Sequence, residues 1–175
     1  MDKVSDVLVF TLRNPDYFAE FLSGDSLPDE LTADEKAALN AARAHVEEAI
    51  CDLLHLCGER IASDCGAAAT GYYRASTRKN RTVRVKPPKG KEKRLYGIGI
   101  GVRPVSGALK LSVWLETKKE SQDQIVRKLD ELGVAYEKDG YFVYGSAVDI
   151  NLDDPFDSLA DRASGAAKLL MPAVE

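Results

Sequence analysis

The chain has 175 residues, of which 45% are apolar and 30% are charged, and its formal net charge is −4. This length suits one domain, or one domain with a helical appendage, and excludes a large multidomain enzyme. Apolar and charged residues are interleaved along most of the chain, which indicates a folded protein and excludes a disordered one. No apolar stretch approaches the length of about 18 residues needed to span a membrane, and no signal-peptide core is present. We therefore expect a cytoplasmic protein with reduced cysteines.

The N-terminal part of the sequence predicts a series of helices. Apolar residues recur at helical spacing over residues 4–12, and residues 14–24 predict a short second helix that begins at an Asn-Pro-Asp cap. Thr32 and Glu35 then form a capping-box pair, which opens an alanine-rich stretch with apolar residues every three or four positions up to Gly66. This stretch predicts one long helix of roughly 30 residues.

A change of period predicts β-strands in the middle of the chain. Residues 69–86 are rich in β-favouring side chains, and Pro87-Pro88-Lys89-Gly90 ends this run with a basic loop. Residues 96–102 alternate bulky side chains with three glycines, so one face of that strand is apolar and the other is bare backbone. We expect a helix with small residues to pack closely on the glycine face, with Ala163 and Ala166 of the last predicted helix as partners.

The C-terminal part predicts a hairpin, a helix, a second hairpin and a closing helix. Residues 103–107 are the expected loop after the glycine-rich strand, Ser121 is the expected cap of the next helix, and Asp154-Pro155 is the expected start of the last one. Strands that follow one another in runs predict an α+β fold. In it, N-terminal helices, including the long one, pack on a largely antiparallel sheet with two further helices.

Two regions of the chain are expected to form one cooperative unit. Residues 1–66 make up a helical region, and residues 67–175 make up an α+β sheet region. Neither region can bury its apolar face without the other, and no low-complexity linker separates them.

Charge is distributed very unevenly along the chain. Residues 1–70 hold five basic and 14 acidic side chains, whereas residues 71–110 hold 12 basic side chains and a single acid, Glu92. Residues 111–175 are acidic again, with seven basic and 13 acidic side chains. The small total charge conceals a basic block between two acidic segments, and this block is the main functional clue in the sequence.

The basic block predicts contact with a polyanion, because its cations repel one another unless opposite charge lies near. Arg and Lys on paired strands and on a Lys-rich loop can neutralise phosphates, while tyrosines can stack on bases. We therefore expect a small non-catalytic binding protein that contacts nucleic acid or a nucleoprotein assembly through residues 74–94. The candidate contact residues are Arg74, Arg78, Lys79, Arg81, Arg84, Lys86, Lys89, Lys91, Lys93, Arg94, Tyr72 and Tyr73.

The same charge pattern is compatible with two alternatives. In the first, the chain is a protein-binding modulator, an inhibitor or adaptor, whose acidic helical surface meets another protein. In the second, the basic block pairs with the acidic long helix of the same chain and has no outside partner. The position of the cations relative to residues 1–70 distinguishes the second alternative from the first.

The tripeptide Glu116-Thr117-Lys118 resembles the second half of the PD-(D/E)xK nuclease motif. In that family the acid binds a divalent metal and the lysine orients the attacking water. The resemblance implies, as a weaker alternative, a metal-dependent nuclease-like domain with this acid and lysine in its site. The family also needs an acid on the preceding strand, but residues 95–115 contain none, so Asp64 or Glu59 would have to replace it.

No other motif points to a reaction, a metal or a cofactor. The glycine run at residues 97–101 lacks the third glycine and the following helix of a dinucleotide-binding fingerprint. Cys51, Cys57 and Cys65 lack the spacing of zinc ligands, and the acids between residues 149 and 161 lack the calcium-loop pattern. We therefore expect no catalytic residue, no metal site and no cofactor.

Overall fold

Four helices and six strands make up the part of the chain that the computed structural model describes, which is residues 3–14, 16, 29–65, 68–74, 81–86 and 96–174. The helices are α1 (Asp6–Arg13), α2 (Ala33–Asp64), α3 (Lys119–Glu131) and α4 (Phe156–Leu170), and a 3₁₀ turn at Met171–Ala173 follows α4. The strands are β1 (Ala68–Arg74), β2 (Arg81–Lys86), β3 (Tyr96–Val105), β4 (Ala108–Thr117), β5 (Glu137–Asp139) and β6 (Phe142–Tyr144). The predicted α+β class is confirmed.

Capping residues explain where α1 and α2 begin. The Ser5 hydroxyl accepts a hydrogen bond from the Leu8 amide at 3.4 Å. The Thr32 hydroxyl accepts from the Glu35 amide at 3.3 Å, while the Glu35 carboxylate accepts from the Thr32 amide at 2.8 Å. This capping box confirms the predicted start of the long helix, which continues for 32 residues. The short helix predicted for residues 14–24 lies mostly outside the described residues.

The six strands form one sheet in the order β1-β2-β3-β4-β6-β5. Strands β1 to β4 follow one another across the sheet, and the β5-β6 hairpin then joins the free side of β4 through β6. Every pairing between neighbouring strands is antiparallel, as the run of strands in the sequence predicted.

The sheet has two unlike faces. Val83, Ile100 and Val113 lie side by side on one face, and they are buried in one cluster with apolar residues of α1, α2 and α4. We call this the helix face. The outer face is made by the alternate positions of the same strands. They include Tyr73, Thr82, Arg84, Lys86, Gly97, Gly99, Gly101, Arg103, Lys110, Ser112, Trp114, Glu116, Glu137, Asp139, Phe142 and Tyr144.

The last helix, α4, does not pack on the glycine face of β3, so that prediction is wrong. Helix α4 packs against α2 and β4, and its buried residues belong to the cluster on the helix face. Gly99 instead lies beneath the indole of Trp114, where an added Cβ would be 2.3 Å from Trp114 Cε2. The ring reaches from β4 across β3, so β3 needs bare backbone at this point.

Two local predictions in the C-terminal part are also wrong. The β3-β4 hairpin turns at Ser106 and Gly107 alone, whose φ angles of 52° and 79° are the left-handed values of a two-residue hairpin loop. Arg103 therefore remains in strand β3 instead of the loop. Ser121 lies inside the first turn of α3, where its hydroxyl donates to the carbonyl of Lys118, the true N-cap, at 3.1 Å.

The helical region and the sheet region contribute to the same hydrophobic cluster. Leu8 of α1 and Ile50 and Leu54 of α2 are as fully buried as Ile100 of β3 and Leu111 of β4. The apolar side of the long helix is therefore covered by the sheet and by α4. That the two regions unfold together stays a prediction.

Candidate binding surface

The structure describes about half of the predicted contact residues. Arg78, Lys79, Lys89, Lys91, Lys93 and Arg94 lie outside the described residues. Tyr72, Tyr73 and Arg74 lie on β1, and Arg81, Arg84 and Lys86 lie on β2, where strand pairing defines the face to which each residue belongs.

The strand register divides these six residues between the two faces of the sheet. Arg84 pairs with Gly99 of β3 on the outer face, whereas Arg81 pairs with the buried Val102 on the helix face. By the same alternation, the outer-face positions are Tyr73, Arg84 and Lys86, and the helix-face positions are Tyr72, Arg74 and Arg81. The cations that the sequence places on one pair of strands therefore belong to two different surfaces.

An aromatic cluster lies on the outer face of the neighbouring strands. The ring centroid of Trp114 is 6.3 Å from that of Phe142 and 5.7 Å from that of Tyr144. The first pair meets edge to face, with 86° between the rings, which is a favoured geometry because the ring edge is positive and the ring face negative. Trp114 is only 9% exposed, although it is not part of the main core cluster. Phe142 and Tyr144 are half-buried and present part of their rings at the surface.

Three neighbours hold the Arg103 side chain in this cluster. Its guanidinium carbon is 3.9 Å from the centroid of the Tyr144 ring, a cation–π contact. Its Nε donates to the hydroxyl of the buried Ser112 at 3.2 Å, and its terminal nitrogens form an ion pair with Glu137. Hydrogen bonds from Arg103 hold the pKa of Glu137 below its usual range, and burial raises the pKa of the Tyr144 phenol. At neutral pH the cluster therefore contains a charged Arg-Glu pair and a neutral tyrosine.

Glu116 and Asp64, two acids that a nuclease site would have to bring together, lie on opposite sides of the sheet. Glu116 is on the outer face, paired with Gly97, and Lys118 is exposed at the start of α3. Asp64 is on α2, which packs on the helix face, and it accepts a hydrogen bond from the Ser164 hydroxyl at 2.6 Å. Within the described ranges, no group of three or more His, Cys, Asp or Glu side chains is placed to hold a metal ion.

Cys51, Cys57 and Cys65 form no disulfide bond with one another in the structure. Cys57 is fully buried on α2, and burial raises the pKa of its thiol to about 12. The thiolate is the nucleophilic and metal-binding form, so this side chain is unreactive at neutral pH.

Acidic residues are prominent on the exposed side of α2. Asp34, Glu48, Asp52 and Glu59 are all exposed, and two of them line a hollow of about 150 Å³ together with His45. This surface is the one on which the protein-binding alternative depends.

The contact residues predicted from the sequence do not include the aromatic cluster. Trp114 alternates with Val113 and Leu115 along β4, so its position on the opposite face could have been read from the period of two. Its contact with Phe142 and Tyr144 could not, because β6 joins β4 only after 24 intervening residues that include a helix.

Comparison with known proteins identified no relative of this chain. No protein-family model matches the sequence, and no curated protein or solved structure is significantly similar to it. In the part of the chain that the structure describes, none of the helices combines the length and the apolar character needed to cross a membrane.

Proposed function

We propose that this protein is a small non-catalytic binding protein that contacts nucleic acid, or a nucleoprotein assembly, through the basic segment at residues 74–94. The observation that carries the proposal is the charge of that segment, which holds ten Lys and Arg side chains and one acid. A polyanion neutralises such a segment, and the release of its counterions drives binding.

The pairing of other cations supports the choice of this segment. Two members of the basic block lie outside it, and both have an acidic partner in the chain. Arg103 pairs with Glu137, and Lys110 pairs with Asp149 at 2.8 Å. Their charges are balanced locally, so the proposed phosphate contacts come from residues 74–94.

The arrangement of the sheet supports the proposal further. Strand β1 is one edge of the sheet and β2 is its neighbour, whereas β5, with Glu137 and Asp139, is the opposite edge. The basic segment and β5 therefore lie at opposite edges of the sheet. A polyanion is attracted to the β1-β2 edge.

Internal pairing is the main alternative for part of the segment. Strands β1 and β2 contact the acidic helix α2, and Arg74 and Arg81 occupy positions on the helix face. The proposal therefore depends on Arg84, Lys86 and the cations of the Pro-Pro-Lys-Gly loop rather than on that pair.

A salt titration tests the proposed function. The logarithm of the binding constant should fall with the logarithm of the salt concentration, with a slope of about −0.9 per phosphate neutralised on duplex DNA, or about −0.7 on single strands. Reversal of Lys89, Lys91 and Lys93 to Glu should lower both the affinity and the slope, with little change in melting temperature, because loop charges contribute little to stability. A matched control reverses Lys118, Lys119 and Arg127, which are exposed on or beside α3.

Each alternative predicts a different result in this experiment. If the acidic α2 surface binds a protein, no affinity for nucleic acid will be measurable at about 0.1 M salt, where the screening length is roughly 10 Å. If the cations pair internally, the loop reversals will lower the melting temperature and leave the slope unchanged. If Glu116 serves a nuclease, nucleic acid incubated with Mg²⁺ will be cut by the wild type and left intact by Glu116→Ala.

A further inference from the structure

We infer that Arg103 is a clasp that fastens the edge strand β5 to the sheet, and that β5 opens as a separate unit while the rest of the chain stays folded. When β5 opens, β6 becomes the edge of the sheet, and Arg103 is separated from Glu137, the acid that balances its charge. This conformational device does not depend on the proposed function, because contacts within the chain carry it.

Strand β5 is held weakly by its own pairing and packing. It lies at the edge of the sheet and pairs with β6 through three residue pairs, whereas β3 and β4 share ten. All three of its residues, Glu137, Lys138 and Asp139, are exposed. Lys138 also pairs with Asp123 of α3, but at 3.8 Å between two exposed side chains, which contributes little. Segments with few buried apolar contacts open at a lower free energy than the core.

Arg103 contacts β5 from a strand that is not its neighbour. Two strands, β4 and β6, lie between β3 and β5 in the sheet. The terminal nitrogens of Arg103 donate to both carboxylate oxygens of Glu137, and the bond from Nη1 to Oε1 measures 3.3 Å. Bidentate pairs of this kind fix orientation in addition to their energy. The Arg103 side chain thus ties the edge strand to the middle of the sheet.

The two halves of the clasp differ in how firmly they are held. The Nε of Arg103 donates to the hydroxyl of the fully buried Ser112 at 3.2 Å, and its guanidinium carbon is 3.9 Å from the centroid of the Tyr144 ring. The Arg103 side chain is 18% exposed, whereas that of Glu137 is 60% exposed. The cation is therefore the fixed half, and the carboxylate is the half that moves away with β5.

The two ends of the β5-β6 hairpin are held by different bonds. At the turn, the carbonyl oxygen of Tyr141 accepts a hydrogen bond from the Thr117 amide at 2.8 Å. The carbonyl oxygen of Gly140 accepts another from the buried side chain of Gln122 at 2.7 Å. The clasp is at the opposite end, where β5 begins. Release of the clasp therefore frees β5 from its first residue while the turn stays attached.

Space beside the clasp permits this movement. A hollow of about 200 Å³ has a lining that includes Arg103 and Val105 of β3, together with Ala135, Tyr136 and Glu137. The start of β5 borders this open volume instead of packed side chains. Its displacement therefore breaks few van der Waals contacts.

Hydrogen exchange of the full chain tests the inference. Mass spectrometry follows the backbone amides of residues 134–139 and of residues 108–117, in water and in urea below the unfolding transition. We expect residues 134–139 to exchange faster and with little dependence on urea, because a local opening exposes little surface. Residues 108–117 should show the stronger urea dependence of global unfolding.

One variant removes the charge of the clasp, and a second is its matched control. Glu137→Gln should speed the exchange of residues 134–139 by about fivefold after correction for intrinsic rates, the effect of a partly exposed ion pair. Lys110→Gln removes an ion pair with Asp149 outside the hairpin and should leave that exchange unchanged. In 1 M salt, where the screening length is about 3 Å, exchange in the wild type should speed up and exchange in Glu137→Gln should not.

Two results would overturn the inference. If residues 134–139 show the same urea dependence as residues 108–117, β5 does not open separately. If they open locally but at equal rates in the wild type and in Glu137→Gln, Arg103 is not the clasp. Circular dichroism checks that each variant folds. Should Glu137→Gln not fold, Arg103→Lys takes its place with the same expected acceleration, because lysine keeps the charge and loses the bidentate geometry.

Discussion

The contact between Gly99 and Trp114 shows how one residue can shape a surface. Glycine weakens a strand, because it has no side chain to pack and loses much conformational freedom on folding. At this position any larger residue would displace the indole, which is wedged against Phe142 and Tyr144. The cost of glycine in β3 is therefore offset by the burial of the largest side chain on the outer face.

Gly99→Ala should destabilise the fold by about 1–3 kcal/mol, the usual cost of overpacking a filled site. Gly97→Ala is the matched control on the same strand and face. An added Cβ there would lie 3.9 Å from its nearest neighbours on Glu116, an ordinary contact, so we expect a change within about 0.5 kcal/mol. Urea unfolding followed by Trp114 fluorescence measures both. Equal stability of the two variants would show that the indole has room to move.

At the scale of elements, the packing of α2 on α4 combines small residues with polar links. Ala160, Ala163 and Ala167 of α4 are fully buried, and α4 packs chiefly on α2. The small residues of the last helix do support a close approach, as the sequence indicated, but the partner is the long helix and not β3. At one end of this contact Asp64 accepts hydrogen bonds from Ser164 at 2.6 Å and Lys168 at 2.9 Å.

The Asp64 link should make stability depend on pH in the acid range. Hydrogen bonds from Ser164 and Lys168 lower the pKa of Asp64 in the folded state. These hydrogen bonds therefore stabilise the fold fully above about pH 4, the pKa of an Asp carboxyl in the unfolded chain. Their contribution to stability is lost as the pH falls through the lower pKa that Asp64 has in the folded state. Asp64→Asn should reduce the free energy of unfolding at pH 7, and its difference from the wild type should shrink below about pH 4.

Urea unfolding at a series of pH values measures this difference. Asp52→Asn is the control, because Asp52 is exposed on the same helix. A difference between Asp64→Asn and the wild type that stays constant down to about pH 2 would show that the carboxylate charge contributes nothing to the contact.

At the scale of the whole molecule, the helix face of the sheet is covered by elements from both ends of the chain. Helices α1 and α2 come from the N-terminal region, α4 comes from the C-terminus, and their buried residues form one cluster with the sheet. A fragment of residues 67–175 would leave much of that face in water. It should self-associate or lose its cooperative thermal transition, because a sheet with an uncovered apolar face is unstable.

Size-exclusion chromatography and a thermal melt of the fragment test this prediction. A fragment that stays monomeric and melts like the full chain would mean that the helical region is an independent appendage.

Local patterns in the sequence determined most of the elements. Thr32 and Glu35 interact across a single turn, so the start of α2 could be predicted, and its apolar spacing indicated the rest of the helix. The alternation of glycine with bulky residues in β3 likewise identified a strand with one apolar face. The hairpin turn was predicted in the right place but three residues too long, because Arg103 and Pro104 resemble loop residues while they belong to the strand.

Only the tertiary structure decided what each face of the sheet meets. A shift of one residue in strand pairing moves every side chain to the other face, and the register depends on contacts between segments far apart in the sequence. For that reason the composition of the basic block could be read from the sequence. The assignment of the Arg84 and Arg81 positions to opposite faces of the sheet could not. The same register placed Trp114 over Gly99 and brought Tyr144 beside it, and so formed the aromatic cluster on the outer face.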